Sequence, residues 1–475
     1  MSQRKHEQIV PQNGYVEHSA EEIFGKVQLC LTDVAQQMQR KHISLTEVIC
    51  AGITCQRETI VVWDKVSGVP FCNAIVWSDM RNAELLPVIQ QELDALKIDL
   101  KERTGLPLST YFSGSKLRWL IENDTEIAQA LAENRAIIGT IDSFLIYKLT
   151  QYSKQGPSHV TDISNASRTQ MFNITTLTWD ETLTNLFKVP HSALPKILPS
   201  SSKLFGTISV KPFNGVPITG VAGDQQAALF GHCCFEKNEA KCTFGTGAFL
   251  LTNIGHTLEY ATNGLLTTVG YQIEGQKVVY AHEGSVAAAG STLEWLVSMG
   301  IVKNVKEIDQ LISENTSNGI TFVPAFSGLF CPHWRPDARG VILGLSFGTQ
   351  PGNVCCAALE AIALQVDDML QVIRKHMEVH TLAVDGGIVN SSKFRQILAT
   401  ITNTRVELRE MLEVTALGAA LLAGLAQGVY ESLEEVKQCV KQEVFLITPE
   451  ECTEYCKDVK RRWMVGIERS LNLAE

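Results

Sequence analysis

The run Val216-Pro217-Ile218-Thr219-Gly220-Val221 leads straight into Ala222-Gly223-Asp224-Gln225-Gln226-Ala227-Ala228-Leu229-Phe230, and Phe244-Gly245-Thr246-Gly247 follows shortly after. The first stretch reads as a buried strand, so Asp224 is delivered to a strand end. A carboxylate there, beside glycines that admit close backbone approach, is placed to accept a proton from a hydroxyl. Gly245-Thr246-Gly247 can turn tightly and aim backbone N–H groups at phosphate oxygens. Together they point to phosphoryl transfer to an alcohol. Taken singly, Asp224 could equally cap a helix, and the glycines could make an ordinary hairpin turn.

Strand-like and helix-like segments alternate along the chain, which predicts an α/β architecture. Ser19-Ala20-Glu21-Glu22 reads as a capping box opening a helix that runs towards Lys41. Val48 to Cys55 reads as a buried strand. Thr59 to Trp63 and Asn73 to Trp77 form a hairpin through Asp64 to Gly68. Tyr111 to Asn123 turns to helical spacing, with Leu117, Leu120 and Ile121 on one face. In the second half the pattern predicts a Gly-Thr-Gly hairpin, a small-residue helix from Ser285, a strand at Leu382 to Val384 ended by Asp385-Gly386-Gly387, and a final helix within Arg461 to Glu475.

Composition excludes classes rather than choosing one. At 475 residues, with 45% hydrophobic and 19% charged residues, the chain is globular and long enough for two or three domains. A net charge of -10 with no basic stripe argues against a nucleic-acid partner. The polar start, Met1 to Pro11, carries no apolar signal region, and the longest apolar run, Ala416 to Ala426, is too short to span a bilayer. The 13 cysteines show no C-x-x-C spacing and read as free thiols of a reducing, cytoplasmic compartment. The 11 histidines form no metal-ligand cluster.

These residues carry a resemblance. The chain resembles the glycerol kinases, within the wider FGGY family of carbohydrate kinases on the actin/hexokinase-type fold. Gln56-Arg57-Glu58-Thr59 matches the polyol-binding segment, and Asn73 to Trp77 the strand that brings a tryptophan to the substrate. Tyr111 to Leu120 looks like the family's first signature, and Gly340 to Leu345 through Asn353 to Glu360 like the second. Gly223-Asp224-Gln225-Gln226 and Gly245-Thr246-Gly247 fall where the family puts its base and its second phosphate hairpin, and Val384-Asp385-Gly386-Gly387 at the adenosine segment. The implied fold is α/β, two ribonuclease H-type domains with an active-site cleft between them. Residues 1–230 would be the polyol-binding domain and 231–475 the nucleotide-binding domain, a division placed by the motifs.

The implied reaction is in-line attack by a terminal hydroxyl of glycerol on the γ-phosphoryl of ATP, with Asp224 as general base. Arg57 can donate to two oxygens in a fixed fork, and Glu58 and Asp224 accept from hydroxyls. By the resemblance, Tyr111 and Gln225 add polar contacts, and Trp77 and Phe249 flank the carbon chain. Gly245, Thr246 and Gly247 would hold phosphate, and Gly290, Gly386 and Gly387 would leave room for ribose and adenine. Glu294 and Ser391 stand where relatives often carry amides. Mg2+ would bridge the phosphates, with Asp224 as its carboxylate. A homodimer or homotetramer is expected, with no membrane segment.

The resemblance also implies a first strand, a Gly-Thr-rich turn opened by an aspartate, and a second strand gripping the β- and γ-phosphates. No Asp-x-Gly-Thr motif precedes the Ser19 capping box, and Ser2 to Pro11 already matches the segment after that hairpin. Two expectations stand side by side: an incomplete sequence of an active kinase, or a truncated, catalytically impaired form that still binds polyol. A kinase for another small sugar, such as xylulose, is a further alternative. Its larger substrate needs a roomier pocket than Trp77, Tyr111 and Phe249 leave.

Overall fold

A computed structural model of the chain describes residues 1–312, 316–411, 413–440, 444–450 and 454–474. The first helix spans Ala20–Arg40, and Ser19 caps it by accepting from the Glu22 N–H at 3.1 Å. Only this half of the expected capping box forms. The Glu22 carboxylate accepts instead from the Glu7 N–H, tying the preceding segment to the helix.

Beside two short two-stranded pairs, Val160–Asp162 with Lys196–Leu198 and Phe172–Asn173 with Thr178–Trp179, the two larger sheets of the first half position the site. One is antiparallel, in the order Glu17–His18, Ala74–Ile75, Ile60–Asp64, Ala136–Thr140, and it contains the expected hairpin with Ile60 opposite Ile75. The other runs Ser201–Thr207, Pro217–Gly223, Ala51–Cys55. Its last two strands are parallel, with Cys55 opposite Gly223. Parallel pairing makes both chains leave the sheet at the same end, so Arg57-Glu58 and Asp224 emerge side by side although 166 positions separate Glu58 from Asp224 in the sequence (224 less 58).

A seven-stranded sheet dominates the second half: Leu266–Tyr271, Val279–Val286, Ala248–Gly255, Ala240–Phe244, Thr381–Gly386, Arg405–Arg409, Val444–Ile447. Gly245-Thr246-Gly247 is the turn of the Ala240–Phe244 and Ala248–Gly255 hairpin. Phe244 lies opposite Gly386 in the parallel pair beside it, so the Gly245-Thr246-Gly247 turn and Gly386-Gly387 share one sheet end. The helix expected from Ser285 begins later. Ser285 belongs to the strand Val279–Val286, which pairs along its length with Ala248–Gly255, and the helix is Gly290–Ser298. Helices Pro351–Ile373 and Ser392–Thr402 cover this sheet, the first with Leu359, Ile362, Val366 and Leu370 fully buried. The α/β expectation is met.

The helix Val414–Gln427 crosses back to the first half, where it packs on Asp224–Gly231 and on the strands Pro217–Gly223 and Ala51–Cys55. Its small residues permit an unusually close approach: a Cβ at Gly418 would lie 1.8 Å from the Ala227 carbonyl oxygen. Buried Leu421 and Leu422 anchor it, each worth roughly 1.5–3 kcal/mol against exposure. The apolar run read from Ala416 to Ala426 is therefore packing surface, and no helix among the described residues is long and apolar enough to cross a membrane. The last helix is Glu454–Ser470, longer at its start than expected, and Glu475 lies outside the described residues. Every described cysteine is a free thiol.

A partly buried histidine gives the fold a pH dependence. His159 bonds the Ile138 carbonyl through Nε2 at 2.8 Å and meets Trp63 edge-on, and burial brings its pKa down to about 4. The unfolded chain takes up a proton near pH 6.5 that the folded one refuses until about pH 4. This contribution is fully present above pH 6.5 and is lost as pH falls through that window, by at most roughly 3 kcal/mol. Urea unfolding of the wild type and of His159→Gln at pH 7 and pH 4.5 should show a shallower acid loss in the variant. Equal losses would remove His159 from the account.

Candidate active site

Asp224 opens the helix Asp224–Gly231 directly after its strand, with Gly223 as the cap residue. Its Oδ1 accepts from the Gln225 N–H at 2.7 Å and lies 3.5 Å from Arg57 Nε. Among the described residues Oδ2 has no protein partner, and the side chain is about one-third exposed (36%). An open, ionisable oxygen at a strand end is what a base for a substrate hydroxyl requires.

Arg57 and Glu58 are not a surface ion pair. Both are buried, and Glu58 holds a left-handed backbone with φ of 61° at the strand exit. The expected Arg57 fork towards two substrate oxygens is already occupied: Nη1 and Nη2 bond Glu283 at 2.6 and 2.8 Å. The Nε edge is what faces Asp224 and Glu58, at 3.5 and 3.8 Å. Glu58 accepts from Arg168 Nε at 2.6 Å through Oε1. Burial raises the Glu58 carboxyl despite both guanidiniums.

Trp77 and Tyr111 sit beside this group, their ring centroids 5.2 Å apart. Buried Lys116 braces them, donating to the carbonyls of Trp77 and Thr110. Burial brings its ammonium down to about 7, against the pull of Asp79. Burial and the nearby Glu58 push the Tyr111 phenol up, so it stays protonated. The Arg57 guanidinium lies over the Phe249 ring at 6.0 Å. Gln225 is held by Lys241, whose buried Nζ also donates to Thr243 Oγ1 at 2.9 Å. Burial lowers the Lys241 pKa.

At the Gly245-Thr246-Gly247 turn, backbone carbonyls face the protein and N–H groups do not. The Gly245 carbonyl accepts from Gly290 N–H at 2.9 Å, and the Thr246 carbonyl from Ala289 N–H at 2.9 Å and Ser291 N–H at 3.1 Å. The N–H groups of Gly245, Thr246 and Gly247 donate to no described residue, nor does the Thr246 hydroxyl. A turn docked by its carbonyls presents its donors outward, as an anion-binding concavity does. It borders a cavity of about 700 Å³ lined by Gly245, Thr246, Gly290, Glu294, Gly387 and Ser391 among others. Gly247 and Gly386 belong to the same turns but stand outside that lining. Ser391 caps the helix Ser392–Thr402 and donates its hydroxyl to Asp309, so that donor is already committed within the protein.

The strand pairing thus brings Arg57, Glu58 and Asp224 together, and places Gln225 and Phe249 against them through Lys241 and Arg57. Sequence reasoning missed Lys241, Arg168, Glu283 and Lys116. The available signal was a charge inside an otherwise strand-like run, Ala240-Lys241-Cys242-Thr243-Phe244 and Val278 to Val286. Such charges are almost never fully buried unless paired.

An outward-facing Gly-Thr-Gly turn, a large cavity beside it and an open carboxylate at a strand end are the parts that a phosphotransferase site requires. Residues 1–231 match the N-terminal domain of the FGGY family of carbohydrate kinases and residues 240–427 its C-terminal domain. The chain belongs to this family, on the mixed helix-and-sheet, actin/hexokinase-like fold. It is 43% identical over 438 residues to a glycerol kinase of Brucella anthropi, covering 91% of this chain and 86% of that one. A glycerol kinase of Mycoplasma pneumoniae is 41% identical, covering 100% of this chain and 93% of that one. The crystal structure of Plasmodium falciparum glycerol kinase with ADP superposes with a TM-score of 0.88 at 36% identity, over 98% of this chain and 92% of that one. A xylulose kinase of Lactobacillus acidophilus shares the fold, with a TM-score of 0.83 at 20% identity.

Proposed function

We infer that this chain phosphorylates glycerol with ATP, giving sn-glycerol 3-phosphate. The observation that carries the reading is the pairing of two sites: donors without protein partners at Gly245-Thr246-Gly247, and the open Asp224 oxygen beside Arg57 and Glu58. The glycerol kinases at 41–43% identity support the choice of acceptor. In this reading Glu58 Oε2 and Arg57 Nε take vicinal hydroxyls, Tyr111 adds a donor, and Trp77 and Phe249 enclose the carbon chain. Asp224 accepts the proton of the attacking terminal hydroxyl. The turn's N–H groups and the Thr246 hydroxyl hold the transferring phosphoryl group, where each aligned donor is worth on the order of 100- to 1,000-fold in rate.

Magnesium fits this arrangement. The ion takes one or two carboxylates together with phosphates and several waters, and the Asp224 carboxylate would hold it through one of those waters, leaving its open oxygen as the base. Bound there with ATP, it would neutralise phosphate charge. Among the described residues no group of three or more His, Cys, Asp or Glu side chains forms a cage of its own. The proposal divides the chain into a polyol half, residues 1–230, and a nucleotide half, residues 231–475. It places the protein in the cytoplasm, as a homodimer or homotetramer.

A coupled assay for ADP tests this directly. Release saturable in glycerol, and at least tenfold more efficient than with D-xylulose, is the expected result. Preference for xylulose would replace the acceptor. Glycerol binding by calorimetry with no ADP release would favour a binding protein over a kinase.

A further inference from the structure

We propose that Glu283 is a positioning residue for polyol binding, reaching from the sheet of the second half to hold Arg57 and Arg168 of the first. The inference rests on the reading of Arg57, Glu58 and Asp224 as a polyol site. Glu283 lies on the wholly buried strand Val279–Val286, opposite Leu251 on one side and Leu266 on the other, and is 1% exposed. An isolated carboxylate in that position is costly enough to require charged partners. It has two. Arg57 bonds it through both Nη atoms, at 2.6 and 2.8 Å, and Arg168 Nη2 reaches Oε1 at 3.0 Å. Burial alone would raise this carboxyl, but the guanidiniums of Arg168 and Arg57 outweigh it and bring the pKa down to about 2.

The cluster closes on itself. Arg168 is fully buried against the Phe112 ring and bonds Glu58 through Nε at 2.6 Å, and Glu58 lies 3.8 Å from Arg57 Nε. Two guanidiniums and two carboxylates therefore balance within one buried ring. Three of the four come from the first half, and Glu283 is the member contributed by the seven-stranded sheet. Its consequence is orientation. With both Nη atoms of Arg57 held by Glu283, only the Nε edge is left for the pocket. With Glu58 Oε1 held by Arg168, Oε2 is left for a hydroxyl. Glu283 touches neither Asp224 nor the phosphate turn, yet it sets the two groups that would recognise vicinal hydroxyls. It also makes polyol recognition depend on how the two halves meet.

Glu283→Gln separates this role from a structural one, because Glu283 lies on the sheet that carries the phosphate turn. A local lesion of that sheet would impair nucleotide binding. The positioning role instead predicts a glycerol KM and Kd raised about 30-fold or more, the scale of breaking a buried, hydrogen-bonded charge pair. The nucleotide Kd should stay within about twofold, and Glu283→Asp should recover part of the glycerol affinity. Should Glu283→Gln fail to fold, Arg168→Lys decides. It keeps the charge but cannot span Glu58 and Glu283 with one planar fork, and the same split between glycerol and nucleotide is expected. Glycerol and nucleotide constants that move together, or unchanged glycerol constants in a folded variant, would overturn the proposal. Wild-type protein run alongside keeps the outcomes apart: if it binds no glycerol, the polyol reading itself has failed.

Discussion

Asp224→Asn is expected to lower turnover by about 100- to 10,000-fold, the contribution of a positioned general base, while glycerol still binds. The substitution preserves shape, and an amide oxygen can keep the Gln225 N–H bond that Oδ1 now accepts. What it removes is the ability of the open oxygen to take a proton. The contact with Arg57 Nε at 3.5 Å is weakened as well, so a several-fold loss of glycerol affinity is compatible with the mechanism. Arg57 itself stays in place, because Glu283 holds both of its Nη atoms. Single-turnover ADP formation at saturating glycerol and ATP, with calorimetric titration of glycerol beside it, separates chemistry from binding. Near-normal turnover would mean that Asp224 is not the base.

The second large effect is expected at the other end of the site. Gly290 begins the helix Gly290–Ser298 and donates its N–H to the Gly245 carbonyl at 2.9 Å. A Cβ there would stand 2.5 Å from that same carbonyl oxygen, closer than real side chains come. The Gly245 carbonyl is backbone, which cannot rotate away as a flexible side chain would. Gly290→Val must therefore part the helix start from the phosphate turn, shifting the outward N–H groups of Gly245, Thr246 and Gly247 together. Loss of alignment at one donor costs on the order of 100- to 1,000-fold, and the variant should lose at least 100-fold in kcat/KM for ATP. Glycerol binding should persist, since Arg57, Glu58 and Asp224 are anchored elsewhere. ATP kinetics within threefold of wild type would show that this contact does not set the turn.

The residues that sequence reading located share a property: their chemistry follows from neighbours along the chain. Asp224 comes at the end of an apolar run and is flanked by Gly223, and Gly245-Thr246-Gly247 announces a turn by composition alone. Arg57-Glu58 were legible as a pair through the family resemblance, but their burial was not. An adjacent Arg and Glu look the same in sequence whether they lie on a surface or inside a four-charge ring. The helix start misplaced to Ser285 has a related cause. Small residues from Ser285 to Gly290 suit either the end of a strand or the start of a helix, and cross-strand pairing with Ala248–Gly255 settled it.

The sequence by itself determined the α/β class, the strand that delivers Asp224, the Gly-Thr-Gly turn and the apolar run from Ala416 to Ala426, because each depends on local propensity and periodicity. Only the tertiary structure decided that Cys55 lies opposite Gly223, that Val414–Gln427 packs on the first half, and that Glu283 meets Arg57 226 positions away. Such contacts depend on strand order and register, which arise from how whole sheets cover their apolar faces. A buried carboxylate finds its partners only once that arrangement exists, and in this chain it orients the arginine at the centre of the pocket.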